Sequence, residues 1–462
     1  MNQDTICAIA TAPGGAIGII RVSGPDAIAI TDRLFTPASG NPLAERAAYT
    51  LTFGQILSPA GEVVDEVLVS LFRAPHSYTG EDSVEISCHG SAYILQQVMQ
   101  LLIRNGCRAA GPGEFTQRAF LNGKMDLSQA EAVADLIASS SAATHRLAMN
   151  QMKGGFSKEL AALREKLLHL TSLMELELDF SDHEELEFAD RSELKAIAAQ
   201  IEQVIGGLVR SFSTGNAIKN GIPVAIIGET NAGKSTLLNA LLNEERAIVS
   251  DIHGTTRDVI EDTMNIGGVT FRFIDTAGIR ETSDTIESLG IERSFQKLEQ
   301  ADIVLWVIDR SAPHPDFARL SGQILPRCAG KHLIVVWNKA DLSGTDAAAS
   351  LKEMFPQAET ISISAKAKTG IRELQDMLLR AADIPEITQS NVIVTNVRHY
   401  EALSKALEAI HRVQEGMDMG LSGDLVSQDL RECLFHLAEI VGGEITTDEV
   451  LGNIFKHFCI GK

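Results

Sequence analysis

Residues 228–236 read GETNAGKST, and this stretch decides the fold. It matches the pattern G-x-x-x-x-G-K-[ST] and lies between an apolar run at 223–228 and a helix-like run at 236–242. In this pattern glycines let backbone N–H groups close on phosphate oxygens, Lys234 neutralises the β- and γ-phosphates, and the Ser235 hydroxyl binds Mg²⁺. Strand, loop and helix in this order predict a nucleotide-binding α/β domain.

Apolar runs of strand length recur around this loop, separated by segments long enough for helices. The runs are 223–228, 270–275, 303–309, 332–338 and 360–364. Strands that alternate with helices pair side by side in one direction, because each helix carries the chain back across the sheet. The alternation predicts a mostly parallel, doubly wound sheet over 218–383.

Further motifs indicate that the nucleotide is GTP rather than ATP. The run 338-NKAD-341 follows an apolar strand, and Asp341 can accept hydrogen bonds from guanine N1–H and its 2-amino group, a pair that adenine does not present. The run 364-SAK-366 fits a loop that donates backbone N–H groups to guanine O6. The predicted GTP contacts are Asn231, Ala232, Gly233, Lys234, Ser235, Thr236, Ser250, Asp251, Ile252, His253, Gly254, Thr255, Thr256, Asp275, Thr276, Ala277, Gly278, Asn338, Lys339, Asp341, Ser364, Ala365 and Lys366.

The residue after 275-DTAG-278 is Ile279, where many GTPases carry a glutamine that orients the attacking water. Isoleucine has no polar atom for this task. Asn231 and backbone oxygens of 250–256 could instead hold a monovalent cation beside the γ-phosphate, where positive charge is needed. Glu287 could orient the water, although the residues alone favour an exposed acid on a switch helix. Lys234 and Glu287 are the predicted catalytic residues of hydrolysis.

The segments that flank the α/β region differ in the spacing of their apolar residues. Residues 1–122 combine short β-rich runs with one helical run, which predicts an α+β domain. These runs are 17–22, 66–72 and 83–88 for strands and 92–106 for the helix. Residues 123–217 and 384–462 carry apolar residues at helical spacing, which predicts an all-α domain into which residues 218–383 are inserted.

Three segments of these flanks have the clearest helical patterns. Residues 128–152 and 158–178 are expected to form long helices, because they contain few helix-breaking residues. In 446-TTDEVLGNIF-455, Thr446 and Glu449 have the spacing of a capping box, which predicts a helix that delivers an ordered C-terminal tail.

Composition narrows the class of protein. A chain of 462 residues exceeds one hydrophobic core, and 45% hydrophobic residues suffice for several. A net charge of −21 argues against broad electrostatic binding of nucleic acid or anionic membranes, so any RNA contact must be local or supplied by a partner. No apolar run spans a membrane and the N-terminus does not resemble a signal peptide, which predicts a cytoplasmic protein.

The cysteines and the acidic stretch are not expected to form metal sites. Six cysteines are scattered without a Cys-x-x-Cys pair, which fits reduced thiols, most of them in cores, better than disulfides or zinc ligands. The stretch 179-DFSDHEELEFAD-190 is predicted to be a solvated loop between helices.

Several motifs together closely resemble the MnmE family of tRNA modification GTPases, also called TrmE. They are GETNAGKS, 254-GTTRD-258, DTAG without a following glutamine, 121-LNGKMDLSQAEAVADLI-137 and 458-FCIGK-462. The resemblance covers the whole chain. The segment at 121–137 and the C-terminal FCIGK are far more specific than the GTP motifs, which many GTPases share.

The resemblance implies an architecture and an activity. It implies a homodimer through the N-terminal domains, with GTPase domains that pair across the dimer when potassium and GTP are bound. It implies a flavoprotein partner, MnmG, in a heterotetramer or a larger complex that adds an aminomethyl-type group to C5 of the wobble uridine of certain tRNAs. The implied one-carbon donor is 5,10-methylenetetrahydrofolate or a related reduced folate. It implies no membrane association.

The resemblance also implies roles for individual residues. It assigns Mg²⁺ to Ser235 and Thr256, and water orientation to Glu287. The implied K⁺ ligands are Asn231, Ser250, Ile252 and Thr255. The implied folate-binding residues are Arg21, Glu85, Lys124 and Lys462. Cys459 is a candidate nucleophile near the folate site, although nothing in the sequence lowers its pKa from the ordinary thiol value of about 8.5.

Two other functions remain open at this point. The main alternative is a regulatory GTPase switch of the ribosome-assembly type, without group-transfer chemistry. Such proteins usually carry an RNA-binding appendage with a basic face, whereas these flanks are acidic overall and lack an evident KH-type loop. The other is a folate-binding module whose GTPase domain controls oligomerisation.

Overall fold

A computed structural model describes the chain within thirteen segments. They are 4–12, 14–179, 191–229, 231–243, 262–274, 298–311, 317–342, 358–384, 392–443, 451, 454–456, 458 and 460–461. The chain divides into two compact units. One comprises 1–138, 149–205 and 401–462, and the other comprises 139–148 and 206–400.

The first unit contains a seven-stranded sheet with the strand order β3-β4-β5-β6-β2-β1-β7. Its strands are β1 (Ile6–Ile9), β2 (Ile17–Ser23), β3 (Phe35–Pro37), β4 (Thr50–Leu57), β5 (Val63–Phe72), β6 (Ser83–His89) and β7 (Arg108–Ala109). Its helices are α1 (Ala27–Leu34), α2 (Ala92–Arg104) and α3 (Glu114–Leu121). Neighbouring strands are antiparallel except β1 and β7. The predicted α+β character of this region is confirmed.

Alternating side chains give this sheet two different faces. Ile20 and Ile86 are fully buried in one core with Leu95 of α2. Gly18 allows α2 to approach closely, since a Cβ there would lie 2.7 Å from a Leu95 methyl group. On the other face Ile17 is exposed. The strands predicted at 17–22, 66–72 and 83–88 are confirmed, whereas β1, β3, β4 and β7 were not predicted.

Long helices supply the rest of the first unit and extend into the second. They are α4 (Leu127–Ala138), α5 (Ala142–Met152), α6 (Gly155–Asp179), α7 (Arg191–Asn220), α11 (Val397–Asp418) and α12 (Gly423–Val441). In the first unit α6 packs against α12. The all-α character predicted for both flanks is confirmed.

The prediction of a continuous helix at 128–152 was wrong, because α4 ends at Ala138 and α5 begins at Ala142. Ser141 and Thr144 form a reciprocal cap in which the Thr144 N–H donates to Ser141 Oγ at 3.1 Å and the Ser141 N–H donates to Thr144 Oγ1 at 3.0 Å. These side chains satisfy N–H groups that the first turn of a helix leaves without intrahelical partners. The helix therefore restarts after the serine run at 139–141.

The second unit contains a six-stranded sheet with the order β13-β12-β11-β8-β10-β9. Its strands are β8 (Ile222–Ile227), β9 (Asp262–Ile266), β10 (Val269–Phe273), β11 (Ile303–Asp309), β12 (His332–Asn338) and β13 (Glu359–Ser362). The helices α8 (Lys234–Asn243), α9 (Phe317–Ile324) and α10 (Ile371–Ala381) belong to the same unit. All neighbours are parallel except β9 and β10.

The central strands of this sheet are buried on both faces. Six consecutive residues of β11, from Ile303 to Ile308, are buried, as are five of β12, from Ile334 to Asn338. Side chains on one face join a core with α8 and α10, and those on the other face join a core with α9. The predicted mostly parallel, doubly wound sheet is confirmed, and only the edge strand β9 was not predicted.

The five described cysteines are buried, as predicted for most cysteines of the chain, and none of these five is in a disulfide: Cys7, Cys88, Cys107, Cys328 and Cys433. Within the described part of the chain, no helix is long and apolar enough to cross a membrane. Most of the acidic stretch, residues 180–190, and the predicted cap at Thr446 and Glu449 lie outside the described residues.

Candidate functional site

The loop between β8 and α8 has the backbone of a phosphate-binding loop. Gly228, Asn231 and Gly233 have positive φ angles of 147°, 63° and 92°. The Lys234 ammonium donates to the carbonyl oxygens of Gly228 at 2.7 Å and Glu229 at 2.8 Å, so its side chain folds back over the loop. Because α8 begins at Lys234, the positive end of its dipole lies at this loop.

Two positions of this loop accept only glycine. A Cβ at Gly228 would lie 2.1 Å from the carbonyl oxygen of Val307, and one at Gly233 would lie 2.2 Å from Asn338 Nδ2. Both distances are far below van der Waals contact. The glycines therefore let the loop lie directly against β11 and β12, at the carboxyl ends of the parallel strands, where ligands of such sheets bind.

Asn338 joins the phosphate loop to the loop that follows β13. Its Nδ2 donates to the Ala232 carbonyl at 2.9 Å, and its Oδ1 accepts from the Ala365 N–H at 3.0 Å. The side chain is 2% exposed, so both bonds are shielded from water. The structure thus brings three predicted GTP contacts, Ala232, Asn338 and Ala365, into one connected group.

The predicted base-binding residues also lie together. Ser364 Oγ donates to Asp341 Oδ1 at 2.5 Å and accepts from the Ala367 N–H at 3.1 Å. The hydrogen bond from Ser364 holds the pKa of Asp341 below its usual value, so the carboxylate stays ionised. Asp341 and Lys366 are exposed at the edge of the site. An ionised, exposed carboxylate is the acceptor that guanine requires.

Asp309, at the end of β11, supports the site and was missed by the sequence analysis. Its Oδ2 lies 2.6 Å from Lys339 Nζ, and its Oδ1 accepts from the N–H and hydroxyl of Ser311. Burial raises the pKa of Asp309, but hydrogen bonds from Lys339 and Ser311 outweigh it and keep the pKa below the usual value. Lys339 has a φ of 64°, a left-handed backbone conformation that is unusual for a residue other than glycine. Asp309 therefore fixes the side chain of a residue with an unusual backbone. The signal in the sequence that could have identified Asp309 was its position at the end of a predicted parallel strand.

The remaining predicted GTP, Mg²⁺ and K⁺ residues, together with Ile279 and Glu287, lie outside the described residues. They are Ser250, Asp251, Ile252, His253, Gly254, Thr255, Thr256, Asp275, Thr276, Ala277 and Gly278. Ser235 and Thr236 belong to the first turn of α8, and Asn231 belongs to the phosphate loop. In the described residues, no group of three or more His, Cys, Asp or Glu side chains could hold a metal ion.

A second group of predicted residues lies on the sheet of the first unit. Arg21 of β2 and Glu85 of β6 are direct cross-strand neighbours. Arg21 Nε and Nη2 lie 2.9 Å and 2.8 Å from Glu85 Oε1. The guanidinium carbon lies 5.5 Å and 5.7 Å from the ring centres of Tyr78 and Phe115, within the range of cation–π attraction.

The C-terminal tail reaches this group. Arg21 Nη1 donates to the Gly461 carbonyl at 3.3 Å, and Ile460 forms an antiparallel bridge with Pro112. Phe458 packs against Phe455, with ring centres 5.0 Å apart. At these positions the tail is ordered, as the sequence predicts. Cys459 and Lys462 lie outside the described residues.

Lys124 is held separately from the Arg21–Glu85 pair. Its Nζ donates to the Pro75 carbonyl at 2.9 Å. Among the described residues, neither Arg21 nor Glu85 forms a hydrogen bond with Lys124. The structure therefore brings Arg21, Glu85 and the tail together, and it places Lys124 against the segment that also carries Tyr78.

The doubly wound sheet, the glycine-lined phosphate loop and the carboxylate at Asp341 together define a P-loop GTPase. A family model described as MnmE helical domain matches residues 127–459, and one described as GTP-binding protein TrmE N-terminus matches residues 5–124. The chain belongs to the MnmE family.

Individual relatives agree with this family over their full lengths. A protein of Bacteroides thetaiotaomicron named tRNA modification GTPase MnmE is 70% identical over 468 residues, which cover 100% of both chains. A protein of the same name from Flavobacterium johnsoniae is 52% identical over 468 residues, again covering 100% of both. The solved structure of Era from Aquifex aeolicus is 30% identical and covers 40% of this chain and 66% of that chain, with a TM-score of 0.28, too low to support a further conclusion.

Proposed function

We propose that this protein is the potassium-dependent GTP-hydrolysing subunit of a tRNA-modifying complex. With a flavoprotein partner of the MnmG type, the complex adds an aminomethyl-type group to C5 of the wobble uridine of certain tRNAs. The observation that carries the proposal is identity of 70% over the full length of relatives named tRNA modification GTPase MnmE. The ordered tail beside Arg21 and Glu85 supports a second active region apart from the GTP site, which a simple switch does not need.

Nucleoside mass spectrometry of tRNA from a strain that lacks this protein tests the proposal. Loss of the C5-substituted wobble uridine is the expected result, with recovery on expression of the full chain. An unchanged nucleoside profile would instead favour the alternative, a regulatory GTPase of the ribosome-assembly type. Ribosome subunit profiles from the same cultures would identify that alternative directly.

The described residues of the first region fit the phosphates and the base of GTP. Backbone N–H groups of the loop and of the α8 N-terminus would bind phosphate oxygens, and the Lys234 ammonium would exchange its carbonyl contacts for the β- and γ-phosphates. Ser235 and Thr256 would hold Mg²⁺, which when bound supplies positive charge to the phosphates. Asp341 would accept from the guanine edge, while Asn338 keeps the two loops together.

GTP hydrolysis is expected to depend on potassium, because Ile279 offers no polar atom and the charge that develops at the γ-phosphate needs a compensating positive charge. Asn231, in the left-handed conformation at the mouth of the phosphate loop, would offer its side-chain carbonyl to the ion. Ser250, Ile252 and Thr255 would complete the coordination. Initial rates in KCl and NaCl at equal ionic strength measure the effect. Equal rates in the two salts would eliminate the cation proposal.

Glu287 is proposed to orient the attacking water. Glu287→Ala is expected to lower turnover by about 10² or more, the scale on which a positioned acid–base group acts, while GTP affinity changes little. Single-turnover hydrolysis together with equilibrium binding of a non-hydrolysable GTP analogue separates the two effects. Turnover at the wild-type rate would leave Glu287 as an ordinary exposed acid.

The second region is proposed to bind 5,10-methylenetetrahydrofolate or a related reduced folate. A pterin presents the same N–H and amino edge as guanine, so Glu85 could accept from it as Asp341 does from the base. Arg21, Lys124 and Lys462 carry positive charge for the carboxylates of the donor. Cys459 is proposed as the nearby nucleophile. Isothermal titration of the reduced folate into wild-type protein and Glu85→Gln tests the assignment, which fails if both bind equally.

The protein is proposed to form a homodimer through its N-terminal sheet. On the sheet face opposite α1 and α2, Leu51 and Phe53 of β4 are 60% and 50% exposed, and Leu68 of β5 lies beside them. Exposed apolar residues that adjoin one another on a sheet are typical of protein interfaces. Sedimentation velocity would reveal a dimer, and a monomer at micromolar concentration would contradict it.

The proposed domain organisation follows the family architecture. Residues 1–122 would form the dimerisation and folate-binding domain, and 218–383 the GTPase domain. Residues 123–217 and 384–462 would form the helical domain. The complex is proposed to act in the cytoplasm, where its tRNA substrates are found, and fractionation of cells that express a tagged full-length chain tests that location.

A further inference from the structure

We infer that Arg21 is the residue that positions the C-terminal tail, holding the described tail residues Phe458, Ile460 and Gly461 against the N-terminal sheet beside Glu85. This inference extends the proposed function, in which Arg21 only supplies positive charge for the carboxylates of the reduced folate. The placement of the tail itself rests on contacts within the first unit and not on the identity of any ligand.

The guanidinium of Arg21 is engaged on two sides. Nε and Nη2 donate to one oxygen of Glu85, and Nη1 donates to the carbonyl oxygen of Gly461. Glu85 thereby orients the planar group so that Nη1 reaches the carbonyl oxygen of Gly461. Arg21 thus links the strand pair β2–β6 to a residue 440 positions away in the sequence.

Two aromatic rings, those of Tyr78 and Phe115, lie within cation–π distance of the same guanidinium. Phe115 of α3 is fully buried, and the hydroxyl of Tyr78 is held by Thr116 Oγ1 at 2.9 Å. Only 20% of the Arg21 side chain is exposed. An arginine held by a carboxylate and two rings has few rotamers left, so its contact with Gly461 costs little additional side-chain entropy.

The tail backbone is fitted closely to its binding surface. Gly461 has a φ of 92°, and a Cβ there would lie 2.6 Å from the Ile9 carbonyl oxygen. Gly113 has a φ of 64°, and a Cβ there would lie 2.8 Å from Phe458 Cβ. These two glycines and the bridge between Pro112 and Ile460 define one path for the tail.

The consequence is a coupling between Glu85 and the tail. Any ligand that pairs with Glu85 binds the same carboxylate that orients Arg21. Arg21 in turn donates a hydrogen bond to the carbonyl oxygen of Gly461. By thermodynamic linkage, a change in tail position alters affinity at Glu85, and occupation of Glu85 alters the order of the tail. Arg21 is therefore a positioning residue between the two.

Hydrogen exchange of the full chain, followed by mass spectrometry of a peptide covering 454–462, tests the inference. Arg21→Gln is expected to raise exchange in this peptide about tenfold, the scale of a lost hydrogen bond to a charged group. Gly461→Ala should raise it similarly, because the added methyl group cannot fit beside Ile9. Glu85→Gln should give an intermediate increase, since Arg21 keeps an acceptor but loses its ion pair.

Matched controls separate tail release from general loosening. Arg33→Gln changes an exposed arginine of α1, and Gly111→Ala adds a methyl group where the nearest atom is 3.7 Å away. Both should leave exchange in the tail unchanged. Wild-type exchange of the tail in Arg21→Gln would overturn the inference, as would an equal rise in peptides from β4 and β5. Since the measurement contains no folate, nucleotide or tRNA, a failure of the proposed function leaves its outcome intact.

Discussion

Gly233→Ala is expected to weaken GTP binding by about 10³. The new methyl group would lie 2.2 Å from Asn338 Nδ2, so Asn338 must leave the Ala232 carbonyl or the loop must move. A non-glycine residue at a φ of 92° adds backbone strain. Each effect costs about 1–3 kcal/mol, and a combined penalty near 4 kcal/mol on the binding-competent loop corresponds to about 10³ in affinity.

Titration with a fluorescent GTP analogue measures this loss of affinity. Gly207→Ala is the matched control, because it lies in helix α7, where a Cβ has nothing within 4 Å. The control should bind GTP as the wild type does. If Gly233→Ala kept wild-type affinity, the connection between the phosphate loop and Asn338 would have no role in binding. Circular dichroism of both variants distinguishes a local change from unfolding.

Deletion of residues 459–462 is expected to abolish tRNA modification and to leave potassium-stimulated GTP hydrolysis intact. The deletion removes Gly461 from Arg21 and Ile460 from its bridge with Pro112, and it removes Cys459 and Lys462 from the proposed folate site. The phosphate loop, Asn338 and Asp341 belong to the other compact unit. Complementation of a strain that lacks the protein, read by nucleoside mass spectrometry, measures the first effect.

The GTPase assay on the same purified variant provides the control for the deletion. Removal of Lys462 alone is a useful intermediate, since it retains Gly461 and its contact with Arg21. Continued modification by the four-residue deletion would contradict the tail assignment. A parallel loss of GTP hydrolysis would show that the tail supports the whole fold rather than one site.

Local patterns in the sequence predicted the elements of the fold. Apolar runs on either side of GETNAGKST predicted β8 and α8, and the alternation after them predicted the parallel sheet. Burial on both faces makes such strands continuously apolar, so they are easily recognised. Strand β4, which pairs with β3 and β5, was missed because Gly54 in its interior weakens the strand signal. The break before α5 was missed because Ser141 and Thr144 are helix-compatible until their caps are seen.

The chemical identity of the candidate sites was largely determined by the sequence. Lys234, Asn338 and Asp341 stand in motifs whose residue types follow from phosphate and guanine chemistry. Arg21 and Glu85 were assigned only by resemblance to the family, since a lone arginine and glutamate in strands carry no signal of their own. Only the register of β2 and β6 makes them direct neighbours.

Tertiary structure alone decided how these residues are held. Asn338 connects the loops at Ala232 and Ala365, Asp309 fixes Lys339, and Arg21 holds Gly461. Propensity, periodicity and capping act within a few residues of one another, so they specify helices and strands and the order of motifs. A hydrogen bond between residues separated by 440 positions depends on the three-dimensional path of the whole chain, and no local pattern encodes it.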